Sequence, residues 1–263
     1  MLENGFCINR SEFTKGIRNI LERLPFNQTQ IALCPLGNML DSGGRLTYYI
    51  NDIDITNKRI RCFQTLQEAI EHTDSQTAIM FYDDSAYSGI QLKSILEEYM
   101  GVPRNKRSTN EHHVKPLEFE QIEKLHGRAL YVAYICFDET NKADLISELE
   151  EIGIKITDIF WIHSLQKKIF QTNEIFRTGE QQRLVEDTLN QIGRQLLYST
   201  KNNNDKWPKE RIENGGLGYN NAQQMVVTKD SVPTYTITAF WCAGGKYKER
   251  DWQPLFRRTN KID

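Results

Sequence analysis

An open, mostly parallel α/β sheet with helices on both faces, carrying a C-terminal strand or hairpin extension, is the fold class this sequence predicts. Three observations predict it. Apolar runs bounded by polar residues or glycine read as buried strands: IALCPLG (31–37), TAIMFYDD (77–84), ALYVAYICF (129–137) and IKITDIFWI (154–162). Segments with helical apolar periodicity separate them. The alternation of the two has the rhythm of strand–helix–strand units, which build parallel sheets covered by helices.

Taken in order, SEFTKGIRNILERL (11–24) opens on Ser11 and places Phe13, Ile17, Ile20, Leu21 and Leu24 on one face, so a helix is expected. After the first strand, NMLDSGG reads as a loop leading into a helical RLTYYINDI. TLQEAIEHT (65–73) is helical, with Thr65 and Glu68 spaced as a capping box. GIQLKSILEEYM (89–100) and NKADLISELEEIG (141–153) follow the second and third strands, and Gly153 is a natural C-cap. EQQRLVEDTLNQIGRQLLYS (180–199) is the longest helical pattern, and the polar TKNNNDKWPK ends it. The tail, GGLGYNNAQQMVVT, VPTYTITAFW and DWQPLFRR, reads as a hairpin or an appended sheet edge. One domain over 1–263 is expected, with an N-terminal helical segment (1–29), an α/β core (30–176) and a long helix plus C-terminal strands (177–263).

Composition excludes several functions. A net charge of −2 over 263 residues gives no global attraction to nucleic acid or to an anionic membrane. Nucleic acid is then expected only through a partner or through the basic loop GVPRNKRSTNEHHVK (101–115), which reads first as a solvated loop. The five cysteines (Cys7, Cys34, Cys62, Cys136, Cys242) form no paired spacing, which argues against a disulfide framework and a zinc site. His112 and His113 lack ligand partners at metal-like spacing, and no protein-ligated metal is assigned. The N-terminus lacks signal-peptide blocks and no 18-residue apolar stretch occurs, so a cytoplasmic protein without a membrane partner is expected. Neither a P-loop nor GxGxxG nor a Ser-His-Asp arrangement is present.

The informative stretch is IMFYDDSAYSGIQL (79–92), where a buried strand ends in Asp83 and Asp84. In open α/β sheets ligands bind beyond the carboxyl ends of the strands. The residues Ser85, Ala86, Tyr87, Ser88 and Gly89 then enter a helix whose first N–H groups lack partners, a site for phosphate. The carboxylates suit the vicinal hydroxyls of a sugar about one ring away. Together they describe a ribose 5-phosphate site.

This stretch resembles the phosphoribosyl pyrophosphate (PRPP) motif of type I phosphoribosyltransferases: four apolar residues, two acidic, three variable, then Thr-Gly-x-Thr. Asp83 and Asp84 match the ribose-binding pair, Ser88 stands for the first Thr, Gly89 matches the glycine, and Gln91 replaces the second Thr. The resemblance implies a pyrophosphate loop after the first strand, where Gly37, Asn38, Ser42, Gly43 and Gly44 are the candidates with Arg45 nearby. Mg²⁺ held mainly by substrate oxygens is expected as cofactor.

The tail is similar to the C-terminal pattern of the bacterial PRTase-CE family: Leu217-Gly218-Tyr219, the apolar Met225-Val226-Val227, a turn at Pro233, Trp241 ending the next strand, and Trp252 to Arg257. The asparagines usual around the proline are missing, and the resemblance runs from about 30 to 258. It implies a phosphoribosyltransferase-type effector in bacterial anti-phage defence, including retron-associated operons, with a reverse transcriptase or winged-helix protein as partner. The activity expected is transfer or hydrolysis at ribose C1 of PRPP or a nucleotide 5′-phosphate, toxic by consuming or modifying nucleotides. The alternative is a non-catalytic nucleotide sensor or assembly module, held through the 180–199 helix or the aromatic tail.

Overall fold

The computed structural model describes residues 6–24, 30–37, 42–51, 60–102, 114–165, 168–171, 176–201, 209–228, 232–243 and 245–256. In chain order these hold β1 (Phe6–Ile8), α1 (Arg10–Arg23), β2 (Ile31–Pro35), α2 (Ser42–Asn51), β3 (Ile60–Cys62), α3 (Leu66–His72) and β4 (Ala78–Ala86). There follow α4 (Ile90–Tyr99), α5 (Phe119–His126), β5 (Leu130–Phe137), α6 (Lys142–Glu151), β6 (Ile156–Ser164) and α7 (Gly179–Lys201). The last are α8 (Lys209–Glu213), β7 (Val226–Thr228), α9 (Thr238–Trp241), β8 (Lys246–Tyr247) and β9 (Arg250–Asp251). The chain divides into two compact units, one from Arg10 to Ser164, the other joining Met1–Asn9 to Leu165–Asp263.

In the first unit five parallel strands lie in the order β3-β2-β4-β5-β6. All residues of the central strand β4 are buried, which explains the apolar run Ala78–Tyr82 that precedes its two aspartates. Alternate strand residues serve opposite faces. On one face Cys34, Phe81, Val132 and Tyr134 share a core with Leu66 of α3, Leu96 of α4 and Leu149 of α6. On the other, Tyr82 hydroxyl meets Thr47 Oγ1 of α2 at 2.8 Å, and Gly16 of α1 lets that helix close on Ile135 and Ile162. Helices therefore cover both faces, as the sequence predicts. The basic loop lies outside the described residues between 103 and 113.

Local details refine the sequence reading. Helix α2 begins at Ser42, so Ser42, Gly43 and Gly44 form its first turn rather than a loop. Burial of Leu46 and Ile50 and the Thr47–Tyr82 bond outweigh the helix cost of two glycines, about 1 kcal/mol each. At α3, Thr65 Oγ1 accepts from the Glu68 N–H at 3.2 Å, but the Glu68 carboxylate accepts from the Gln64 N–H at 3.1 Å, one residue before the box position. The edge strand β3 escapes a periodicity reading because it is three residues long and carries the exposed Arg61. Gly153, at φ 82, terminates α6 as expected.

Arg128, buried before β5, donates to Lys124 O, Ile70 O, Thr73 O and Thr73 Oγ1, tying the end of α3 to the sheet. Arg128→Met leaves those carbonyls unpaired. It should lower stability by about 2–4 kcal/mol, seen as a reduced urea midpoint.

In the second unit β1 and β7 form a parallel pair, Phe6 opposite Val226, and β8 and β9 make a small antiparallel hairpin. Helix α7 contributes Ile192, Leu196 and Leu197 to a core with Leu217, Met225, Ile237 and Trp241. The strand expected to end at Trp241 is a helical turn, α9. Backbone pairing is limited to a single parallel bridge, Gln224 to Thr236, beyond which Thr236 Oγ1 donates to Val226 O at 2.7 Å and accepts from its N–H at 3.3 Å. The chain is then free to turn at Ile237. The motif tryptophans are fasteners: Trp241 Nε1 donates to Thr236 O at 2.9 Å, and Trp252 Nε1 to Ala239 O at 2.8 Å. Pro233 accepts from the Thr236 N–H at 3.0 Å, closing the predicted turn. Among the described residues no helix is long and apolar enough to cross a membrane.

Candidate functional site at the carboxyl end of the sheet

The strand order reverses beside β4. From β2 the chain moves outward to β3, then returns to the other side of β2 for β4 and continues through β5 and β6. Adjacent connections that leave a sheet in opposite directions open a crevice at their carboxyl ends, and this is where such sheets bind ligands. Gly37, with φ 92, follows β2 at this point, and Asp83 and Asp84 lie near the end of β4. The two segments that the sequence singles out thus flank one switch point.

Asp83 is 1% exposed and Asp84 6%, so two adjacent carboxylates are held largely out of water. Buried charge is costly and such groups are kept in defined geometry by hydrogen bonds. Asp83 Oδ1 accepts from the Asp84 N–H at 2.8 Å, and Asp84 Oδ1 from Ser85 Oγ at 3.0 Å. Gln91 Nε2 of α4 reaches Asp83 Oδ2 at 3.4 Å. The residue that departs from the phosphoribosyltransferase motif therefore touches the acidic pair.

The loop is shorter than the sequence suggests, because Ser85 and Ala86 remain in β4 and only Tyr87–Gly89 link strand to helix. Pairing with β5, Ser85 to Cys136 and Ala86 to Phe137, extends the strand. Asn141 Nδ2 donates to Tyr87 O at 2.8 Å, fixing the loop from the following crossover. Gly89 is the N-cap of α4, in the left-handed region at φ 68, and no side chain caps the helix. Its first N–H groups are the kind that receive an anion. Alanine here would set its Cβ 2.5 Å from Leu145 Cδ2 in a conformation L-residues avoid. Gly89→Ala should lower stability by about 2 kcal/mol, read in the urea midpoint.

Around the pair the environment is apolar. Burial, with the Asp83 and Asp84 charges second, pushes the Tyr134 phenol well above its usual pKa. Burial and then the Asp84 charge raise the Cys136 thiol, so Cys136 is no nucleophile. His163, at the end of β6, pairs with Glu12 Oε1 at 3.0 Å. A cavity of about 180 Å³ near Arg128, His126 and Lys155 lies at the opposite, amino end of the strands, and its arginine is committed to the bonds given above.

Of the predicted residues, Asp83, Asp84 and Ser85–Gly89 form one contiguous constellation. Gly37 lies at the end of the neighbouring strand, and Ser42, Gly43 and Gly44 lie in the first turn of α2. Asn38 lies outside the described residues. Among the described residues no group of three or more His, Cys, Asp and Glu is placed to hold a metal. The sequence reading missed Gln91 as a partner of Asp83 and the buried Tyr134 beside it. A tyrosine inside an otherwise apolar strand was the available signal, since a buried phenol normally needs a partner.

The parallel sheet thus carries an acidic strand end and an uncapped helix N-terminus at its switch point. The PRTase-CE family model matches residues 1–258, and the chain belongs to that family. No curated protein matches the sequence.

Proposed function

We propose that the chain binds PRPP or a nucleotide 5′-phosphate together with Mg²⁺ and acts at ribose C1. The observation that carries this reading is the buried pair Asp83–Asp84 directly before an uncapped, glycine-started helix at the switch point. Asp83 and Asp84 accept hydrogen bonds from the ribose hydroxyls. The Tyr87–Gly89 loop and the first N–H groups of α4 hold the 5′-phosphate. Gly37 and the first turn of α2 hold pyrophosphate from the other side.

Two neighbouring carboxylates fit Mg²⁺, which is commonly bound by one or two carboxylates plus substrate phosphates. When bound, the ion would neutralise the phosphate charge. The C1–O bond to pyrophosphate breaks with its electron pair leaving on pyrophosphate, and the anionic pocket favours the oxocarbenium-like sugar. An acceptor base or water completes transfer or hydrolysis. Such chemistry suits an effector of anti-phage defence, restrained by an operon partner such as a reverse transcriptase or winged-helix protein.

The Gln91 amide at Asp83, where the motif has a phosphate-binding Thr, favours a second reading: a ligand sensor without turnover. Incubation with PRPP, Mg²⁺ and a panel of nucleobases distinguishes them. Wild type should release pyrophosphate, and the Asp83→Asn, Asp84→Asn protein about 100-fold less. Binding without release identifies the sensor.

A further inference from the structure

The Tyr134 side chain is 1% exposed, and its hydroxyl has no hydrogen-bond partner among the described residues. A hydroxyl buried in this way is costly, and each such group calls for an explanation, a functional role being one. The surroundings indicate what would use it. Tyr134 stands opposite Asp83 in the register of β4 and β5. Its ring is stacked on Phe137, centroids 5.4 Å apart and planes within 6°, which fixes the direction of the phenol. A phenol keeps its proton at neutral pH, so an unpaired donor sits on the strand next to the acidic pair. The Gln91 contact with Asp83, at 3.4 Å, is long for a hydrogen bond and easily exchanged.

We propose that Tyr134 is a positioning residue of the ribose site, whose hydroxyl donates to the Asp83 carboxylate in the ligand-bound protein and takes over from the long Gln91 contact. The hydroxyl is sealed from solvent and acts on the ligand through Asp83. The inference rests on the ribose-phosphate reading given above.

The test compares Tyr134→Phe with wild type by thermal unfolding without ligand and by calorimetric titration with PRPP and Mg²⁺. The phenyl ring keeps the stacking and removes only an unpaired polar group. The melting temperature should therefore stay level or rise. PRPP affinity should fall about tenfold, the loss of one hydrogen bond to a charged group. Tyr134→Leu, which removes the ring as well, should lower both and marks the packing effect. Three results for Tyr134→Phe overturn the inference alone: unchanged affinity with a lower melting temperature, no change in either, or a joint fall like that of Tyr134→Leu. A wild type that does not bind PRPP overturns the ribose-phosphate reading, and this inference with it.

Discussion

Gly193→Ala is expected to destabilise the C-terminal unit by about 3 kcal/mol, although alanine is the better helix former by about 1 kcal/mol. An added Cβ would lie 2.1 Å from Gly216 O and under 3 Å from its Cα and carbonyl carbon. Those atoms are backbone and cannot rotate away. Gly216 is equally confined, since a Cβ there would meet Asn190 O at 2.5 Å. The two glycines bring α7 against the chain just before Leu217-Gly218-Tyr219, and Gly218, at φ 97, passes with equal closeness over Tyr235 O. Pushing α7 away opens the core of Ile192, Leu196 and Trp241. Amide exchange across α7 should quicken about 100-fold, whereas unaltered exchange would show that the contact yields without cost.

Asp83→Asn with Asp84→Asn should separate binding from stability. Asparagine retains the Oδ1 acceptors used by the Asp84 N–H and by Ser85 Oγ, while the mutual repulsion of two adjacent carboxylates in a buried site disappears. Melting temperature should stay level or rise. PRPP affinity should fall at least about 100-fold, because two charge-assisted hydrogen bonds to ribose hydroxyls, each worth about 1.5–3 kcal/mol, are weakened together. A site kept for function at the expense of stability behaves this way. A variant that melts lower and still binds would make the pair structural.

Of the four long strands, β2, β4 and β5 were legible because burial on both faces leaves an apolar run, and the half-exposed edge strand β6 because of its apolar IFWI stretch. Their order was not, since nothing local tells β2 that β3 and β4 lie on its opposite sides. The acidic pair and Gly89 could be read because a strand end, two carboxylates and a glycine fall within seven residues. The extent of the loop could not, because the pairing of Ser85 and Ala86 with β5 is a long-range fact. The same holds for β7, whose partner Phe6–Ile8 lies more than 200 residues away in the chain. In VPTYTITAFW the family resemblance implied a strand ending at Trp241, and the structure has a turn and α9 there instead, with Thr236 Oγ1 bonded to Val226.

Titration of the purified chain with PRPP, with and without Mg²⁺, decides whether the end of β4 holds a ribose phosphate. Micromolar binding that strengthens with Mg²⁺ and is lost in the Asp83→Asn, Asp84→Asn protein is the predicted result. Binding that survives in the double variant, or no binding by the wild type, would contradict a ribose-phosphate site at the end of β4.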